Sequence, residues 1–142
     1  WSSDVCSSDL RAFSQNTNTM IEQNMRQLVK GICESYGISY EVKYETTCPM
    51  TFNQPKQADA ATKAAITLLG ADKCDGDIDP RPFSEDFSIM SENTPGCFVL
   101  MGNGVTGSHG RPLHSADYDF NDELLVQGSS YWVELAEQQL QK

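Results

Sequence analysis

The hydrophobic period of this chain changes once, sharply, and that change limits what its first fifty residues can fold into. Ile21, Met25, Leu28 and Ile32 recur at helical spacing, so one face of a helix is apolar. Thr19, with Glu22 three residues later, has the spacing of a capping box and predicts the helix start there. Gly37, after Tyr36, supplies the left-handed residue that ends a helix without a Cβ clash. From Ile38 the period becomes two: Ile38, Tyr40, Val42 and Tyr44 alternate with Ser39, Glu41, Lys43 and Glu45. That alternation predicts a half-buried strand in a sheet with one open face. With Arg11, Ala12 and Phe13 as the end of an earlier strand, the order strand, helix, strand is half of a ferredoxin-like unit.

The rest of the chain reads in shorter pieces. Pro49 to Pro55, with Asn53 as a turn former, predicts a boundary. An Ala-rich helix is expected from Ala58 to Leu69, stopped by Gly70, and a loop from Asp72 to Pro82. Ser84 is the expected cap of a short helix whose first turn carries Glu85 and Asp86, the signs that suit the helix dipole. Cys97 to Met101 is a continuous apolar run, consistent with a buried strand. Gly102 to Pro112 is a glycine-rich loop. A last helix is expected from Asn121, with Leu125, Trp132 and Leu135 on its buried side.

Composition excludes several classes of function. A chain of 142 residues with 39% hydrophobic content is long enough to bury a core. No apolar run approaches the roughly 20 residues that span a bilayer, so no membrane partner is expected. Twenty acidic residues against ten basic ones give a net charge of −10, which argues against nucleic acid and anionic lipid. Trp1 to Leu10 is polar and aperiodic and reads as the in-frame translation of a sequencing-library adapter, so it is set apart from the fold. The native start is then expected to lie outside this sequence, and a signal peptide is not testable from it. Cys33, Cys48, Cys74 and Cys97 contain no C-x-x-C pair. Scattered thiols of this kind fit a reducing compartment and an expected cytoplasmic location.

Few residues carry obvious chemistry. The two histidines, His109 and His114, form neither H-x-H nor H-E-x-x-H. A lone loop histidine is more often a solvated bystander than a ligand. His114 stands out because it follows an apolar run and a glycine-rich loop, where binding residues sit on rigid scaffolds. Asp117, Asp119 and Asp122 lie close behind it, any of which can orient an imidazole, or simply form a solvated turn and a helix start. The Gly102–Asn103–Gly104 stretch lacks the phosphate-binding pattern, and no G-x-S-x-G elbow occurs.

Taken in order, four strings resemble one family. They are Ser84–Glu85–Asp86–Phe87; Pro95–Gly96 leading to an apolar run that ends at Gly102; Leu113–His114–Ser115; and Asp119–Phe120–Asn121–Asp122–Glu123. The order and spacing resemble the C-terminal part of M20 metal-dependent amidohydrolases, in the subgroup of hippurate hydrolases, N-acyl-amino-acid deacylases and auxin-conjugate hydrolases. The resemblance implies an α/β fold, the C-terminal part of a two-domain zinc-peptidase-like architecture. Residues 11–53 would belong to a lid or dimerisation domain and 54–142 to the catalytic domain. It implies amide hydrolysis of N-acyl amino acids or small peptides by a water that a divalent metal activates, zinc or manganese, two per site. It also implies a homodimer through the lid.

Residue by residue, His114 matches the family's last metal ligand, and Arg11 matches an arginine near the substrate carboxylate, a strand-edge ion pair being the plain alternative. Glu85 and Asp86 are expected at the wall of the site, where helix capping explains them equally well, and Asp119 near the imidazole. No Glu–Glu pair and no second ligand string occurs, so no catalytic residue is assigned here and this polypeptide alone is expected to be inactive. The competing expectation is a non-catalytic α/β binding or dimerisation module.

Overall fold

The computed structural model describes residues 8–140, so most of the Trp1 to Leu10 segment lies outside the described residues. Four α-helices follow in chain order: α1 (Gln15–Tyr36), α2 (Pro55–Leu69), α3 (Phe87–Ser91) and α4 (Leu124–Leu140). Two single 3-10 turns, Ala71–Lys73 and Ser108–Gly110, separate them. The chain divides into two compact units: the described residues up to Phe52 with Asp79–Thr94, and Asn53–Ile78 with the described residues from Pro95.

In the first unit, the cap of α1 lies five residues before the expected Thr19. Ser14 is the cap, its hydroxyl accepting from the Thr17 amide at 3.0 Å, while Thr19 turns back to donate to the Gln15 carbonyl at 3.0 Å. Both residue types make such local bonds, and the earlier one had the free backbone N–H groups to satisfy. The helix ends where expected. Gly37 has φ 64, its amide reaches the Glu34 carbonyl at 3.2 Å, and the Ile38 amide reaches Cys33 at 2.9 Å, the double closure of a Schellman cap.

The expected strands do not form among the described residues, which are helices joined by irregular segments, so the α/β reading of fold class is not confirmed here. Residues 41–45 keep the alternation, with Val42 and Tyr44 half-buried and Glu41, Lys43 and Glu45 exposed, whereas Ile38 and Tyr40 are exposed. Side-chain alternation reports which face is covered. A strand also needs a neighbour for its amides and carbonyls, and one side chain of α1 takes such a place here. Arg26 Nη1 donates to the Val42 carbonyl at 3.0 Å, while Asn18 bonds the side-chain hydroxyls of Tyr44 and Thr46 at 2.6 and 3.1 Å. Residues 97–101 show the same substitution in the other unit. The Asn53 amide group donates to the Phe98 carbonyl at 3.0 Å and accepts its N–H at 2.7 Å, imitating one rung of a ladder.

The second unit is built on α2 against α4. Helix α2 starts at Pro55, three residues before the expected Ala58, because proline at the first position loses no hydrogen bond and presets φ. Ala61 and Ala64 are buried and let α4 approach closely, and Tyr131 fills the contact at 5% exposure. The expected buried side of α4 is therefore corrected. Trp132 is 67% and Leu125 58% exposed, Leu135 is half-buried, and the neighbour of Trp132 takes the core position. The Asp122–Glu123 stretch forms a turn before the helix and not its first turn. Likewise Ser84 does not cap α3, which Asp86 precedes; Ser88, fully buried, satisfies its hydroxyl on the Glu85 carbonyl at 2.6 Å.

Candidate functional site

The most ordered polar structure in the second unit is the loop from Asn103 to Asn121, and it is closed by side chains in successive tiers. Asn103 forms the outer tier. Its Nδ2 donates to the carbonyls of His109 and Asp119 at 3.0 and 2.8 Å, and its Oδ1 accepts the Asn121 amide at 2.8 Å. Asn121 answers by donating Nδ2 to the Asn103 carbonyl at 3.3 Å. Inside this, the Asp119 carboxylate accepts from the Ser108 hydroxyl at 3.1 Å and lies 3.4 Å from His109 Nε2. Inside that again, Arg111 Nε pairs with Asp117 at 3.0 Å. Within that pair, the Ser115 amide bonds the Pro112 carbonyl at 3.2 Å, a four-residue turn whose third residue is His114.

His114 therefore sits at the apex. Its φ of 68 is the one positive φ of a non-glycine residue among the described residues. Histidine tolerates this region better than most side chains, and the third position of a turn with positive φ demands it. The imidazole is exposed and carries no hydrogen bond or ion pair among the described residues. Close packing at the loop's base explains one glycine: a Cβ on Gly110 would stand 2.6 Å from the Val105 carbonyl carbon.

The expected site residues fall into two sets. His114 and Asp119 share the loop, yet the Asp119 carboxylate engages His109 and Ser108. The histidine read as a bystander is thus the one with the acidic partner. Arg11 and Glu85 belong to the first unit. The Arg11 guanidinium is shared between the Ser84 hydroxyl and the Asp9 carboxylate, the latter at 2.6 Å, and Glu85 is half-buried beside that serine. Asn103 and Asn53 were missed because asparagine in a loop reads as a turn former. Its amide carries the same donor and acceptor as a peptide group, which is the signal that a bracing role would have needed.

Electrostatics mark no nucleophile. Burial pushes the Cys97 thiol above its usual range, which disfavours the thiolate. Burial, and then the neighbouring Cys97, raise the Tyr131 hydroxyl. Among the described residues no three His, Cys, Asp or Glu side chains cluster closely enough to hold a metal ion. The donor set of this chain, one exposed imidazole on a braced loop, does not by itself make a metal site.

Comparison with known proteins decides the family. The sequence model of peptidase family M20/M25/M40 matches residues 6–138. The chain belongs to that family. Among curated M20 relatives, hippurate hydrolase of Campylobacter jejuni is 28% identical over 127 residues, covering 89% of this chain and 32% of its own length. YhaA of Bacillus subtilis, whose name classes it with the amidohydrolases, is 32% identical over 122 residues, 82% of this chain and 29% of its own. Thermostable carboxypeptidase 2 of Saccharolobus solfataricus is 28% identical over 123 residues, 84% and 30%. This M20 chain thus spans about a third of the length of the curated relatives it matches. No solved structure matches it. No helix among the described residues is long and apolar enough to cross a membrane.

Proposed function

We infer that this chain is part of an M20 hydrolase that cleaves the amide bond of an N-acyl amino acid or small peptide, and that His114 serves its active site. The carrying observation is the placement of His114: exposed, with no partner among the described residues, at the apex of a loop braced on both sides. A solvated bystander has no use for such bracing. A ligand does, since a binding group must be held before its target arrives. The names of the relatives, a hippurate hydrolase and a carboxypeptidase, support the substrate class.

In this reading His114 would be one ligand of a divalent metal, zinc or manganese, which would supply carbonyl polarisation and a more acidic water. The other ligands and the general base come from the part of the relatives' length that this chain does not span. Residues 11–53 belong to a lid that pairs two protomers, residues 54–142 to the catalytic domain, and the first ten are foreign to the fold. The α/β character of such a protein then resides in strands that pair with 38–45 and 97–101. The apolar side chains exposed on α1, Leu28, Ile32 and Tyr36, support a further covering layer. Arg11 binds the substrate carboxylate once Asp9, in the set-apart segment, no longer occupies it. Glu85 lines the wall, and a cytoplasmic location fits the free thiols.

The test uses the full-length enzyme and hippurate. His114→Ala is expected to abolish hydrolysis, with the melting temperature held because the side chain is exposed. Full retained activity would remove His114 from the site.

A further inference from the structure

Asn103 is half-buried, and all three of its amide hydrogen-bonding contacts are to backbone. They fall at three places in the chain: the carbonyl of residue 109 on the outgoing limb, and the carbonyl of 119 and amide of 121 on the returning limb. One side chain therefore sets the separation and the register of the two limbs. No ladder does so, since residues 103–121 contain no strand. The inner ties are weaker constraints. Arg111 and Asp117 are both more than half exposed, as is the Asp119 side chain, so those ion pairs are screened by solvent. With Asn103 removed, two backbone carbonyls and one amide lose partners at once. The two limbs are then tied to each other only by the longer Asn121 bond to the Asn103 carbonyl and by exposed side-chain contacts, while the remaining backbone bonds are local turns within a limb.

We propose that Asn103 is a positioning residue: it clamps the 103–121 loop so that the His114 imidazole is held in place for the hydrolysis inferred above, on which the catalytic half of this proposal rests. It touches no substrate and acts only through the loop.

The experiment is paired hydrogen exchange and steady-state kinetics on the full-length enzyme and its Asn103→Ala variant. Amides of residues 104–120 are expected to exchange at least about tenfold faster while those of α2 and α4 keep their protection. With hippurate as substrate, kcat is expected to fall about ten- to a hundredfold, the cost typical of losing a group that orients a ligand, with KM held. A merely destabilised fold would instead lower protection in α2 and α4 together with the loop. Should Asn103→Ala do that, Asn103→Asp decides, since it keeps the shape and the acceptor for Asn121 but loses both donations. A loss of kcat with α2 and α4 intact supports the clamp, and a wild-type kcat overturns it. Unchanged loop exchange in Asn103→Ala overturns the clamp whatever His114 does. A loosened loop with unchanged kcat overturns its role in positioning. Full activity in His114→Ala beside a loosened Asn103→Ala loop overturns the reading of function and leaves the clamp standing.

Discussion

The α2–α4 pair and the 103–121 loop belong to the same unit and are held by different physics. The pair coheres through Ala61, Ala64 and Tyr131, with two long polar contacts, Tyr131 hydroxyl to the Ala61 carbonyl and Gln138 Nε2 to the Thr67 hydroxyl, both at 3.4 Å. The loop has no fully buried residue and coheres through side-chain hydrogen bonds. Apolar burial is non-directional and sets how strongly two elements adhere. Hydrogen bonds contribute less net free energy, roughly 1 kcal/mol each, but fix distance and direction. Stability and site geometry in this unit therefore rest on separate residues, and substitutions should be able to move one without the other.

The largest expected effect is on the adhering side. Tyr131→Ala removes the one large apolar side chain that is buried among the described residues and should cost about 3 to 5 kcal/mol in urea unfolding followed by helical circular dichroism. Loop amides measured well below the transition should keep wild-type exchange. A cost under about 1 kcal/mol would mean that Tyr131 is not the core of the pair. On the other side, Gly110→Ala forces a Cβ to 2.6 Å from the Val105 backbone and should cost about 1 to 3 kcal/mol. Its signature is local: the added methyl can be relieved only by moving the loop, so exchange at 104–120 rises first. If α2 and α4 loosen to the same extent, the two regions are not independent.

That separation also explains what was legible in advance. The end of α1 was, because a glycine cap is a local matter of φ and two carbonyls, both written at Gly37. Helix starts were displaced by three to five residues because Ser14, Thr19, Pro55 and Ala58 are all acceptable openings, and only competition for free N–H groups chooses among them. The strands failed for a different reason. Alternation at 38–45 is a statement about side chains, whereas a strand is a relation to another backbone. On α4, Tyr131 and Trp132 are adjacent aromatics, and the sequence does not say which one meets Ala61 and Ala64. At the candidate site, the expectation for His114 came from its place after a glycine-rich loop. The bracing was not, because Asn103 acts on atoms 6, 16 and 18 residues away.

The smallest expected effect sharpens the comparison through pH. Cys97 and Tyr131 both titrate above their ordinary values in the folded unit, Cys97 through burial and Tyr131 through burial and then Cys97. Each is neutral when protonated, so the folded state holds its proton more tightly than the unfolded state does. Their contribution is complete below the unfolded pKa of the thiol, about 8.5, and is lost as pH rises through the folded values. Between pH 7 and 8 the stability should be flat on their account, and above about pH 9 it should decline. Cys97 is only half-buried, so its share of the decline is shallow. Cys97→Ser should make it shallower still, because it removes one titrating group and the repulsion that raises the other. The loop has no titrating group in its outer clamp, since Asn103 and Asn121 are amides. Its exchange protection, corrected for the intrinsic pH dependence of exchange, should therefore hold over the range in which α2 and α4 weaken. A loop that loosened in step with the helices as pH rose would show that the clamp borrows its rigidity from the core beneath it.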